Sequence, residues 1–443
     1  MQQQHSQWLT RKVWLNVHLF LALSVGFIFA VLGLTGSLCV YREELDTLLN
    51  PQLVVEEVKG EQQSLDQIMT AVRAVHPDRY GEWTLEMPSS PQGMITVWFD
   101  KPRETYFERY APLMVSVNPY TAEVVASRFW GQTLSTWLLD FHSQLHFGDN
   151  GWKIIGYCGL LLLISVCSGL YLWWPGSQKV LSVLSIRLTQ GWISLVFDLH
   201  RLIGLLFAPA LLVLAFTGVQ LSFPTVLEKL SGTTGMAHGE TGRPIVSTAI
   251  PNDHPTLIDT VEFIARGSFP KAELRRVTTP DGNSGVYRVN LRQQGEANQR
   301  HPYTTVWVDR WSGQVKEVRD PATFNASQTL ITWLWPVHTG EALGAWGRFA
   351  WFLTGQGLFF LYVSGLIRWL YRKGKIQNKA IDLAGVKHYR QQWGNSIYQL
   401  LLKLDDGMTL LAHRLRPLCK RLVEMSLIEF KRGVKYYRAK TKK

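Results

Sequence analysis

Four apolar stretches, each long enough to cross a bilayer, punctuate an otherwise mixed chain at residues 13–41, 152–174, 199–223 and 346–371. A span needs roughly 20 such residues. Between the first two stretches the period changes. Ser64 precedes Leu65, Ile68, Met69 and Val72, which predicts a capped helix over 64–75 with one apolar face. Met94-Ile95-Thr96-Val97-Trp98-Phe99 reads as a strand, and residues 113–125 read as two strands about an Asn-Pro turn. The interval between the third and fourth stretches repeats this order, with a helix over 256–266 and strands over 284–292, 303–308 and 314–318. The first stretch is too long for a secretion signal and lacks a small-residue cleavage site before Tyr41-Arg42-Glu43-Glu44, so it predicts an anchor.

The spans themselves repeat. A shift of 182 residues places His18 on His200, Leu32 on Leu214 and Thr35-Gly36 on Thr217-Gly218. A shift of 196 places Trp137 on Trp333, His142 on His338, Gly159 on Gly355 and Ser168-Gly169-Leu170 on Ser364-Gly365-Leu366. The expected fold is an α-helical integral membrane protein. Four transmembrane helices form two parallel span–domain–span repeats, with two outer α+β domains at 42–150 and 224–345. An even number of spans per repeat puts the pseudo-twofold along the membrane normal.

Composition supports a mosaic of spans and water-facing domains: 46% of the 443 residues are hydrophobic, with 18 Trp, yet 18% are charged. Of the net charge of +12, residues 372–443 alone carry +13, from 18 Lys/Arg against 5 Asp/Glu, and the rest nets −1. A nucleic-acid binder would not confine its charge so. Arg11 and Lys12 before the first span, Lys179 and Arg187 after the second, and Arg372, Lys373 and Lys375 after the fourth all fall on one side if both termini are cytoplasmic. Residues 1–12, the 175–198 loop and the 372–443 tail are then inside. The tail carries Ile397, Leu400, Leu401 and Leu404 beside Lys403, the pattern of a helix lying on anionic lipid. Cys39, Cys158, Cys167 and Cys419 form no Cys-x-x-Cys, which excludes covalent haem attachment through that motif.

Histidine is costly in a bilayer and usually functional there. His18 and His200 open outward-running spans, whereas His142 and His338 just precede inward-running ones. Seventeen helical residues separate His18 from Thr35 and His200 from Thr217, a rise of roughly 25 Å. Two imidazoles on one iron make a six-coordinate electron-transfer centre. The pattern therefore predicts two non-covalent haems, the inner held by His18 and His200 and the outer by His142 and His338. His146, one turn after His142, is an alternative ligand; Ala342 stands in the matching place. Arg128, Arg201 and Arg348 lie at the membrane edges, where they could bind haem propionates or serve as interfacial anchors. Trp173-Trp174, Trp333, Trp335, Trp346 and Trp351 suit an interfacial belt. No dinucleotide-binding glycine fingerprint follows a strand, so electrons must come from outside the chain, from a cytosolic flavin reductase or from quinol.

The His-led first span with Leu34-Thr35-Gly36 near its end, followed by Tyr41-Arg42-Glu43-Glu44-Leu45-Asp46 and Asn50-Pro51, resembles the PepSY-associated transmembrane proteins. The similarity covers roughly residues 10–372. That bacterial inner-membrane family includes siderophore-iron reductases. The resemblance implies PepSY-like outer domains in the periplasm, two haem b, and reduction of a ferric siderophore or other Fe(III) chelate to release Fe(II). The alternative is a non-enzymatic PepSY protein that binds peptides or regulates a protease or receptor without haem. A permease is a third reading, weakened by spans with no charged residue near mid-membrane.

Overall fold

The computed structural model describes residues 10–58, 60–174, 186–187, 190–233, 236, 244–250 and 253–379. The amphipathic tail and most of the 175–198 loop lie outside these residues. Of the residues that cluster apart from the rest, 190–192 and 378–379 are described, and there the Trp192 amide donates to the Lys379 carbonyl at 3.2 Å.

The first apolar stretch is two helices, α1 (Arg11–Ser24) and α2 (Gly26–Cys39), bent by 62° at Val25. The bend has a local cause. The Ser24 hydroxyl donates back to the Phe20 carbonyl at 2.7 Å, and Gly26 follows immediately. In the matching stretch α7 (Trp192–Ser222) carries Pro209 and stays continuous. The other spans are α6 (Gly148–Trp173) and α11 (Gly344–Arg372). At 26, 31 and 29 residues, α6, α7 and α11 exceed a hydrocarbon core of about 30 Å. Phe20 of α1, Phe27 of α2, Ile164 of α6 and Leu206 of α7 stay exposed, a surface suited to lipid.

Glycines set how closely the spans approach. A Cβ on Gly355 would lie 2.2 Å from both the Gly33 carbonyl and the Ser37 hydroxyl, so α2 and α11 cross backbone against backbone. The repeat places Gly159 of α6 in the matching position, where a Cβ would lie 2.7 Å from Val219 and 3.3 Å from the Ala215 carbonyl of α7. Lipid offers no hydrophobic drive for helix association, so such close packing carries it.

Short helices cap the outer end: α3 (Arg42–Leu49), α5 (Leu134–Gln144), α8 (Pro224–Ser231) and α10 (Ala326–Thr339). His142 and His338 sit on α5 and α10, and tight elbows lead from these into α6 and α11. The first elbow places Leu145, His146 and Gly148 at φ +50°, +57° and +56°. A Cβ on Gly151 would meet the Gln144 carbonyl at 1.6 Å, and one on its repeat partner Gly347 would meet the Gly340 carbonyl at 2.3 Å.

The two outer segments, expected as separate domains, share one antiparallel sheet in the order β4-β3-β2-β1-β5-β6-β7-β8. β1 (Thr84–Glu86), β2 (Ile95–Phe99), β3 (Leu113–Val117) and β4 (Val124–Phe129) come from the first repeat. β5 (Glu273–Thr278), β6 (Val286–Arg292), β7 (Thr305–Asp309) and β8 (Val315–Arg319) come from the second. β1 pairs with β5, Leu85 opposite Val277, and joins the halves. One face packs its Leu85, Val97, Val115, Val277, Val289 and Val306 under α4 (Leu65–Val75) and α9 (Ile258–Ser268). The other face is polar and reaches the short capping helices, as where Arg128 of β4 grips Asp46 of α3 at 3.0 and 3.2 Å.

The start of α4 meets the start of α9, and each supplies a cap for the other. Asp259 accepts from the Leu65 amide at 2.7 Å, and Asp66 accepts from the Ile258 and Asp259 amides at 3.0 Å each. Burial, with the facing Asp259, pushes the Asp66 carboxyl above the usual carboxylate range. Burial opposes ionisation of Asp259 too, but hydrogen bonds from Asp66 and from the Leu65 amide hold it below that range. Stability from this pair is therefore lost as pH falls through the lowered Asp259 value, and declines again as pH rises towards the raised Asp66 value. Asp66→Asn, which keeps an acceptor and removes one charge, is expected to flatten the decline on the alkaline side. Asp66→Ala is expected to cost about 1–2 kcal/mol, as lost caps do. Hydrogen exchange of α4 and α9 against pH measures both.

Candidate functional site

The four histidines occupy four copies of one seat. His18 Nδ1 lies 3.0 Å from the Ser168 hydroxyl on α6, and His200 Nδ1 lies 2.8 Å from the Ser364 hydroxyl on α11. His142 Nδ1 lies 3.2 Å from the Thr35 hydroxyl on α2, and His338 Nδ1 lies 2.9 Å from the Thr217 hydroxyl on α7. The next residue is glycine every time, with the imidazole edge against it. A Cβ at Gly36, Gly169, Gly218 or Gly365 would meet the ring Cε1 at 2.8, 3.2, 3.2 or 3.5 Å. Each repeat is thus laced at both ends, the first span to the second and the third to the fourth.

The seat fixes the tautomer. Each hydroxyl donates its proton within its own helix: Thr35 to Val31 at 2.9 Å, Thr217 to Val213 at 2.8 Å, Ser364 to Phe360 at 2.7 Å and Ser168 to Ser165 at 2.8 Å. It then has only lone pairs for the histidine, so Nδ1 carries the hydrogen. The Ser165 carbonyl, 3.0 Å from His18 Nδ1, requires the same. Nε2 is left unprotonated, with its lone pair free for a ligand. All four histidines are half-buried.

The histidines pair across the repeats. The His142 and His338 ring centres are 6.5 Å apart at 42°. Two imidazoles trans on one metal, with metal–nitrogen bonds of about 2.0 Å, would place their ring centres about 6 Å apart, a separation close to that of this pair. By the repeat, His18 and His200 are the corresponding second pair, seated on α6 and α11. Along continuous α7, His200 and the Thr217 seat stand 17 residues apart, which separates the two levels by about 25 Å.

His146 is not brought to this site. Its left-handed backbone turns the ring back onto Trp137 and Phe141, at 4.8 and 5.8 Å. The arginines expected to bind propionates already have partners. Arg201 pairs with fully buried Asp198 at 2.8 Å, beside Arg187 at 2.7 Å. Arg348 pairs with Glu44 at 2.6 Å and donates to the Val40 carbonyl. Arg128 grips Asp46, as above. The repeat alignment singled out the Thr-Gly and Ser-Gly pairs, but sequence reasoning missed that they hold histidines of neighbouring helices. Their recurrence at the same two offsets as the histidines was the available signal.

Among the described residues, three helices long and apolar enough to cross a membrane, four if the bent α1–α2 pair is one span, together with a fused antiparallel sheet define a membrane protein of duplicated architecture. The family model for the PepSY-associated TM region matches residues 15–372, and the chain belongs to that family. The match takes in every histidine seat and both halves of the sheet. No curated protein matches the chain.

Proposed function

We propose that the protein is a dihaem b electron carrier of the bacterial inner membrane that reduces a ferric siderophore or other Fe(III) chelate at its periplasmic face. The observation that supports this best is the fourfold seat, which leaves every histidine with Nε2 free and sets His142 and His338 at an iron-spanning distance. Paired ligands suit a metal whose other positions are already filled by a macrocycle. Haem bound by two imidazoles has no open position and supplies one-electron transfer.

The chain's own residues orient and insulate. Thr35, Ser168, Thr217 and Ser364 hold each imidazole in the metal-binding tautomer. The apolar spans exclude water between the two levels. The positive residues of the loops put both termini in the cytoplasm, where a flavin reductase or quinol would deliver electrons. They leave at the outer level, beneath the polar face of the sheet. Reduction to Fe(II) weakens binding by hard oxygen donors and releases the metal.

Removing a seat hydroxyl is expected to weaken haem binding at that level about 10–100-fold, as loss of a ligand's hydrogen-bond partner generally does. Thr217→Val should affect the outer haem alone and Ser364→Ala the inner alone, by haem transfer to apomyoglobin. The activity itself is tested in sealed proteoliposomes loaded with reductant, with ferric chelate and an Fe(II)-trapping dye outside. Fe(II) should form at a rate set by the protein. A rate equal to that of protein-free vesicles would contradict the proposal.

A further inference from the structure

The inner level carries a cation with no carboxylate. Arg187 and Arg201 both bind Asp198, which is fully buried. Arg11 donates to the Leu172 carbonyl. Arg368 makes no ion pair among the described residues, although it sits half-buried on a membrane-spanning helix. Its guanidinium lies over the Phe197 ring at 4.7 Å and near the Tyr371 ring at 5.7 Å. Phe197 in turn stacks on His200, with ring centres 6.5 Å apart and planes within 12°. Arg368 therefore stands one aromatic ring away from the inner histidine pair.

Its place along α11 agrees. Arg368 follows Ser364, the seat of His200, by four residues, a rise of about 6 Å on the same helix face. A charged group inside a span is costly unless paired, and an aromatic face offsets only part of that cost. Guanidinium matches a carboxylate in a two-point fork. Haem carries two carboxylates at the edge of its ring, and Asp198 is already taken by two arginines. The first repeat has Leu172 in the matching position, so this cation belongs to one repeat only.

Resting on the dihaem reading above, we propose that Arg368 binds a propionate of the inner haem, the role that Arg201 is kept from by Asp198. Its positive charge then also favours the reduced state of that haem.

The test uses the full-length chain with His338→Ala, so that the inner haem is the one left, carrying Arg368, Arg368→Gln or Arg368→Lys. Redox titration followed at the Soret band gives the midpoint potential, and resonance Raman gives the propionate bending band. Expected are a downward shift in potential for Arg368→Gln, a smaller one for Arg368→Lys, and a displaced propionate band in Arg368→Gln. Inner haem bound in all three proteins with unchanged potential and band would overturn the proposal and leave Arg368 as an anchor for lipid phosphate. Absence of haem from the protein with all four histidines would overturn the dihaem reading, and this proposal with it.

Discussion

Replacing His338 with alanine is expected to cut bound haem from about two to about one per chain and to slow Fe(II) formation at the outer face at least 100-fold, roughly. On the proposed reading His338 and His142, 6.5 Å apart between ring centres, would hold the outer haem together, and His142 alone would not replace the pair. The variant leaves Thr217, Gly218 and the rest of α7 in place, so the inner pair keeps its geometry. His142→Ala should reproduce the loss, and His18→Ala or His200→Ala should remove the inner haem instead. His146→Ala is the control. Its ring packs on Trp137 at 4.8 Å, so haem content should stay unchanged. Pyridine haemochrome analysis counts the haem, and an unaltered count in His338→Ala would sink the ligand assignment.

Gly355→Leu is expected to prevent the repeats from closing. A Cβ there would stand 2.2 Å from the Gly33 carbonyl and from the Ser37 hydroxyl. The Gly33 carbonyl cannot retreat without moving α2, and the Ser37 hydroxyl is held to the Phe352 carbonyl at 2.8 Å. Overpacking a core costs about 1–3 kcal/mol where side chains can yield, and here backbone must move, so a loss of 3 kcal/mol or more, roughly, is expected. On the proposed reading both histidine pairs lie across this repeat interface, so both haems should be lost together, along with monodisperse protein in detergent. Gly33→Leu should behave alike. Gly267, near the end of α9, has open space around it, and Gly267→Ala should hold or raise stability by up to about 1 kcal/mol. Size-exclusion profiles and thermal unfolding in detergent distinguish these outcomes.

Where the pattern in the sequence was periodic, the structure follows it. The α4 helix starts at the expected Ser64 cap, with Leu65, Ile68, Met69 and Val72 buried. The strands that escaped notice are β1 and β5. β1 has three residues, too few to show alternation, and β5 reads Glu-Leu-Arg-Arg-Val-Thr, which looks like a charged loop. On the sheet Arg276 faces Glu86 across that join at 2.9 Å, a pairing no local pattern announces. Missing those two strands made one sheet read as two domains. The bend at Val25 was hidden for a similar reason, because apolar residues continue through it while Ser24 and Gly26 act on the backbone.

The candidate site divides the same way. Repetition alone marked all four histidines, and it marked the Thr-Gly and Ser-Gly pairs as well. Only the packing of α5 on α2, α10 on α7, α1 on α6 and α7 on α11 shows that the two sets of markers meet. Arginines were harder to place from position alone. Arg201 and Arg348 lie at the expected membrane edges, but their use depends on which carboxylates reach them, and Asp198 and Glu44 do. Arg368 was passed over because nothing local distinguishes a cation that lacks a partner from one that has one.

The central claim is that paired, tautomer-fixed histidines hold two haems across the membrane. Its most direct test is the absorbance of the purified full-length protein in detergent, oxidised and then reduced with dithionite, with haem counted as pyridine haemochrome. Sharp b-type α and Soret bands with about two haems per chain are the predicted result. A featureless visible spectrum from folded protein, expressed with ample haem, would contradict it.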